Sequence, residues 1–130
     1  MNIENEILGT FEAYRRWGSH YYDSKTAEKI IRLCTERDVA VIGMDGFYIE
    51  ETKFIPDTNA MFTATSRGSS DWKKFAHDCN KVALRLLRDD SNHSSTVWHI
   101  SISSKEKRDA FLNAPCTCGS GKKFKECHGA

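Results

Sequence analysis

Three of the chain's five cysteines and one of its five histidines fall inside thirteen positions: Cys116-Thr117-Cys118, eight further residues, then Cys127-His128. A peptide of that length buries almost no apolar surface, so it cannot order itself by packing. Four soft or borderline donors at this density are the set that a tetrahedral zinc ion takes in a closed structural site. Metal binding would then supply the order, with apparent values of roughly 10–16 kcal/mol for structural zinc in small finger peptides. The thiols must lose their protons to bind. Three thiolates and a divalent ion leave a charge of −1, which Lys122, Lys123 and Lys125 can offset. Gly119-Ser120-Gly121 lets the backbone turn back sharply between the two halves of the site, because glycine takes positive φ without penalty. Phe124 is placed to cover the turn. Four protein ligands, Cys116, Cys118, Cys127 and His128, leave no open position for a water, which argues against a hydrolytic metal.

The remaining two cysteines, Cys34 and Cys79, fall on helical apolar stripes. An odd cysteine count used in this way reads as metal binding in a reducing cytosol, not as a disulfide framework. The first residues, with two early glutamates and no long apolar run, do not read as a secretory signal. No stretch approaches the roughly 18 apolar residues that a membrane span needs. A cytoplasmic protein is therefore expected. With 19 Lys/Arg against 18 Asp/Glu in 130 residues, the charge is too balanced to argue for a membrane surface or sequence-specific nucleic-acid binding.

Before the cluster, the pattern predicts an α+β body over residues 1–112, with the zinc element at 115–130. Ile3, Ile7, Leu8, Phe11 and Tyr14 predict a helix over 3–16, stopped by Trp17-Gly18. A second helix starts after Asp23 or Ser24, buries Ala27, Ile30, Ile31 and Cys34, and ends near Asp38. Val39–Met44 and Phe47–Glu50 read as strands joined by a type I′ turn at Asp45-Gly46. Lys53–Ile55 follows, broken by Pro56, and Ala60–Thr65 is a third strand. Ser69, Ser70 and Asp71 can cap the longest helix, whose stripe runs Trp72, Phe75, Ala76, Cys79, Val82, Ala83, Leu86, Leu87. Thr96–Ser103 alternates, with Trp98, Ile100 and Ile102 on one face. Ser103 and Glu106 read as the capping box of a last helix through Leu112. Helices packed on a small, mainly antiparallel sheet are the expected architecture.

Residues 115–129, with the Pro-Cys lead-in, the Cys-x-Cys-Gly-Ser-Gly turn, Phe124 and the Cys-His end, closely resemble the SEC-C motif, the zinc-binding tail of the translocase motor SecA. The resemblance implies zinc on Cys116, Cys118, Cys127 and His128. It also implies a ribosome- or SecB-associated adaptor that binds through Lys122, Lys123 and Lys125. The motor is not present in the sequence. Gly119-Ser120-Gly121-Lys122 is not a phosphate loop either, since the first glycine of that motif would fall at Cys116 and Lys123 stands where Ser or Thr belongs.

In the body, His20, His77, His93 and His99 sit in no catalytic motif, and neither Cys34 nor Cys79 has an activating base beside it in sequence. A binding protein, not an enzyme, is expected. Residues 39–90 are similar to the bodies of some small bacterial immunity proteins: Val-Ile-Gly-Met-Asp-Gly-Phe-Tyr-Ile, then Pro-Asp, then a Trp-led amphipathic helix. That likeness implies a protein that blocks the active site of a cognate toxin such as a nuclease. Asp45, Phe47, Tyr48, Glu50, Glu51 and Asp57 are the candidate contacts, because carboxylates complement a cationic cleft.

Overall fold

The computed structural model describes residues 3–64, 71–89, 95–123 and 126–127. In chain order the elements are α1 (Ile3–Gly9), β1 (Tyr14–Arg16), β2 (Ser19–Asp23), α2 (Ser24–Glu36), β3 (Ala40–Glu50), β4 (Lys53–Thr63), α3 (Trp72–Arg88), β5 (Val97–Ser103) and α4 (Lys105–Asn113). The five strands form one antiparallel sheet in the order β1-β2-β5-β3-β4. The expected α+β class is what the chain adopts.

The helices form where the sequence offers caps and stripes. The Asp23 carboxylate accepts from the Thr26 amide at 2.7 Å and opens α2. Asp71 opens α3 in the same way, accepting from Lys74 N at 3.1 Å. Ser69 and Ser70 lie outside the described residues. The α2 stripe of Ala27, Ile30, Ile31 and Cys34 is fully buried. It packs with Ala83 and Leu87 of α3 and Ile7 of α1 onto the face of the sheet that carries Tyr22, Val41, Met44, Trp98, Ile100 and Ile102. On α3, Val82 is exposed, and the stripe gains a polar member, Asn80, buried among the apolar side chains. Asn80 accepts from Val41 N at 2.8 Å and donates to Val39 O at 3.0 Å and Thr35 Oγ1 at 3.0 Å. It serves as a side-chain strand where β3 has run beyond its pairing with β4, which begins at Gly43↔Thr63.

Four local expectations are corrected. The helix predicted over 3–16 ends at Gly9, and Tyr14 belongs to β1. Phe11 and Tyr14 fit the helical period by coincidence: Tyr14 is used from a strand, edge-on to Phe54 at 6.5 Å. Trp17-Gly18 is the two-residue hairpin loop between β1 and β2, both residues at positive φ (50° and 75°).

Asp45-Gly46 is not a turn. It lies inside the eleven-residue β3, and the chain reverses at Glu51-Thr52, where Glu51 has φ 58°. Gly46 is needed for a close approach instead. A Cβ there would stand 2.8 Å from the Cβ atoms of Ala60 and Ser95. Opposite it, the β4 register jumps from Met61 to Pro56, so that residues 57–60 bulge past one glycine. The bulge is held by Asp57, which accepts from Asn59 N (3.1 Å) and Ser95 Oγ (3.2 Å). Thus Lys53–Ile55 and Ala60–Thr63 are one interrupted edge strand, where proline is tolerated; Thr65 lies outside the described residues.

Finally, the cap of α4 is Ser104, accepting from Lys107 N at 3.1 Å, not Ser103 with Glu106. Ser103 is still paired with Ala40 in the sheet.

The other face of the sheet carries a smaller aromatic cluster. Tyr21 lies edge-on to Phe47 (5.1 Å) and Phe54 (5.2 Å), over Val97. Arg16 folds across this end, its guanidinium 5.2 Å above the Phe54 ring and bonded to Thr52 O at 2.9 Å. The tips of the β1–β2 and β3–β4 hairpins are thereby brought together.

Candidate metal centre

Beyond α4 the chain makes a small knuckle. Pro115 pairs with Lys123 as an antiparallel bridge, and Cys116 N donates to Lys122 O at 2.8 Å. Gly119 N donates back to Cys116 O at 3.3 Å. Gly119 (φ 80°) and Gly121 (φ 78°) both take the left-handed region, so the glycines perform the reversal expected of them. Glu126 N donates to Lys123 O at 3.0 Å, a tight single turn that carries Cys127 back over the knuckle.

The result is a convergence of sulfurs. The thiols of Cys116, Cys118 and Cys127 all lie within 4.8 Å of one another. Cys118 and Cys127 are 3.5 Å apart. A tetrahedron with zinc–sulfur bonds of about 2.3 Å separates its sulfurs by about 3.8 Å, so these three fit three corners of a zinc site. Cys116 is buried, and Cys118 is exposed. His128 lies outside the described residues, as do Phe124 and Lys125. Lys122 and Lys123 are exposed on the knuckle.

Ser120 stands between the two arms. Its hydroxyl lies 3.7 Å from the Cys127 sulfur, as donor, and accepts from Lys122 N at 3.3 Å. Hydrogen bonding to Ser120 pulls the Cys118 thiol below its ordinary range. Cys127 receives the same help from Ser120, but the adjoining sulfurs of Cys118 and Cys116 hold it above. A thiol held up by the sulfurs beside it, as Cys127 is, is one that a divalent cation would relieve. The two body thiols behave differently: burial pushes Cys34 up to about 12 and raises Cys79 as well. Both are small hydrophobes in the core.

The proposed partner contacts are dispersed by the fold. Glu50 and Glu51 are exposed at the β3–β4 tip. Asp45 is half-buried on the outer sheet face, paired in register with His99. Phe47 is half-buried beneath Tyr21, and Tyr48 takes the opposite face by strand alternation. Asp57 is buried, its carboxylate occupied by the bulge. The feature that the spacing argument missed is beside Glu50 and Glu51. Trp17 is 73% exposed, Tyr14 51% and Ile49 45%. The doublet Trp17-Gly18 reads from sequence only as a helix stop, and nothing local tells which large apolar side chains would remain outside. Of the histidines, His77 pairs with Asp38 at 3.1 Å, His99 leans on Tyr21 at 5.8 Å, and His93 lies outside the described residues.

Residues 113–130 match the SEC-C motif family. Short matches to the C-terminal tails of protein translocase subunits SecA agree with it. The Campylobacter jejuni subunit is 94% identical over 17 residues, and that of Caulobacter vibrioides 83% over 18. Those stretches are 13% and 14% of this chain and 2% of each SecA chain. The chain thus spans about a fiftieth of the length of these relatives, and the family match leaves the α+β body uncovered. Among the described residues, no helix is long and apolar enough to cross a membrane.

Proposed function

We propose that this chain is a non-catalytic, zinc-containing cytoplasmic protein that works by holding another protein on its body. The observation that carries this reading is Trp17. The two-residue loop requires positive φ at position 17, and tryptophan is an uncommon occupant of that conformation. The hairpin tip presents an indole to solvent, with exposed Tyr14 and Ile49 close by, the Phe54 ring between them and Arg16 folded over that ring. Exposed tryptophan and tyrosine with an arginine beside them have the composition of an interface anchor. The thiolate-rich tail supports the non-catalytic half of the reading, because three sulfurs and an imidazole complete zinc's coordination.

In its finer form, the protein is an immunity factor that blocks a bacterial toxin. Glu50 and Glu51 would lie against the toxin's cationic cleft while Trp17 fills an adjoining apolar recess. A second reading has one specific observation in its favour, the near-identity of the tail to SecA tails. It makes the chain a secretion or translation adaptor that binds through the SEC-C knuckle and its lysines.

Co-purification from the source cell separates the two. The inhibitor reading expects one dominant partner that Trp17→Ala with Tyr14→Ala releases and Cys127→Ser retains. Release by Cys127→Ser alone, with the aromatic pair dispensable, would establish the adaptor instead.

A further inference from the structure

The balanced charge of the whole chain conceals a strong local one. Helices α2 and α3 hold eight Lys and Arg against three carboxylates. Taken from 19 and 18 for the full chain, that leaves 11 against 15 elsewhere. We infer that the outer face of this helix pair is a nucleic-acid surface: Lys25, Lys29, Arg32, Lys81, Arg85 and Arg88 form a double cationic ridge that holds the phosphate backbone of a duplex without reading its sequence. The ridge lies across the sheet from the aromatic cluster of Tyr21, Phe47 and Phe54.

Helical spacing and packing build the ridge. Lys25, Lys29 and Arg32 recur at four and three residues, so they share one face of α2. That face is exposed and lies opposite the buried Ala27, Ile30, Ile31 and Cys34. Lys81, Arg85 and Arg88 repeat the spacing on α3, exposed and opposite the buried Ala76 and Ala83. The two helices run antiparallel: Arg88 meets Glu28 at 2.8 Å, Asn80 meets Thr35 at 3.0 Å, and His77 meets Asp38 at 3.1 Å. The C-terminal half of α3 therefore lies beside the N-terminal half of α2, and both rows face away from the sheet. Each row is about 10 Å long, and packed helices set their axes about 8–10 Å apart. Glu28 is the carboxylate within the cluster, between Arg88 and Arg32 (3.7 Å), and Asp89 lines its rim. Two open grooves, of about 510 and 420 Å³, share Arg88 as a wall. Cations in this excess create a field that a polyanion answers. Three of the six are arginines, whose planar fork matches phosphate oxygens. Of the large apolar side chains on these two helices, only Val82 is exposed. That is neither the buried apolar anchor of a protein interface nor the wide apolar face of a helix lying on a membrane. Charge without an apolar anchor is what sequence-independent binding to a phosphate backbone uses.

The test titrates the full chain into a labelled RNA duplex and a labelled DNA duplex of arbitrary sequence, between about 50 and 200 mM salt, and reads fluorescence anisotropy. Each phosphate neutralised adds about −0.9 to the slope of log K against log salt concentration, so the parent chain should show a slope of about −4 to −5. Lys81→Gln with Arg85→Gln should weaken binding and flatten that slope by about 2. Glutamine keeps the helix propensity of the residues it replaces, and far-ultraviolet circular dichroism checks the fold. Should that variant fail to fold, Lys25→Gln with Lys29→Gln removes two charges from the other row and should flatten the slope equally. Binding of either duplex with these slopes supports the assignment, and the tighter of the two names the natural source of the backbone. No binding of either duplex at the lowest salt overturns it, and so does an unchanged slope in the folded ridge variants. Flattening by Lys122→Gln with Lys123→Gln instead would move the binding to the knuckle and overturn it as well. Tighter binding of polyglutamate, or of phosphatidylserine vesicles, than of either duplex would make the ridge a dock for an acidic protein or a membrane, which also overturns it.

Discussion

Replacing Asn80 should be among the most damaging single changes in the body, although no cysteine or aromatic ring is touched. Its side chain is buried and makes three hydrogen bonds, two of them to the backbone at the entry to β3. Asn80→Ala leaves the Val41 N–H and the Val39 carbonyl without their partner, at a position where β4 does not reach. Each orphaned buried group costs about 1–3 kcal/mol. Two such groups therefore set a loss of about 2–6 kcal/mol, against a total stability of about 5–15 kcal/mol for a domain of this kind. Urea unfolding followed by far-ultraviolet circular dichroism, on zinc-loaded protein, reads the change. With a slope of about 1–3 kcal/mol per molar, the midpoint should fall by at least about 0.7 M. Asn80→Leu sharpens the test, since it refills the volume but not the hydrogen bonds, and should remain clearly destabilised. A leucine variant as stable as the parent would refute the account, because packing and not polar satisfaction would then be what the site requires.

Three further outcomes follow from the same coordinates. Chelation should disorder residues 115–130 while leaving the helical signal of the body nearly intact, because the α2 and α3 stripes bury their own core; collapse of the whole circular dichroism spectrum would contradict this. Gly46→Ala should destabilise by about 1–3 kcal/mol through overpacking against Ser95 and Ala60, seen as a lowered urea midpoint. Stability should also fall with rising alkalinity. Cys34 is held up to about 12 in the folded chain against an ordinary value near 9. The folded state therefore keeps a proton that the unfolded state releases, and this contribution is full below pH 9 and lost as pH climbs toward 12. Cys34→Ala should flatten that slope in urea titrations repeated across the interval.

Where the sequence reading failed, the failures share a cause. Asp45-Gly46 carries a strong hairpin signature, but the glycine is demanded by Ser95 and Ala60, which are distant in sequence. Tyr14 keeps helical spacing with Ile3 and Ile7, yet it is claimed by Phe54 across the sheet. The predicted α3 stripe passes over Asn80, whose role depends on β3 lying beneath it. Asp57 reads as a surface carboxylate and turns out to hold a bulge. In each case a contact from another element outweighed a local preference of a few tenths to about 1 kcal/mol.

What the linear chain settled alone was whatever lies within a few turns of itself. The convergence of Cys116, Cys118 and Cys127 needs only two glycines and a short reversal, so its chemistry was readable from spacing. The apolar stripes of α2 and α3 were readable for the same reason. Tertiary structure alone decided which large apolar side chains stayed in water. Trp17, Tyr14 and Ile49 come from two hairpins far apart in the chain, and they meet because Arg16 and Phe54 draw those hairpins together. Exposure is a property of what the rest of the molecule fails to cover, and no local spacing encodes it.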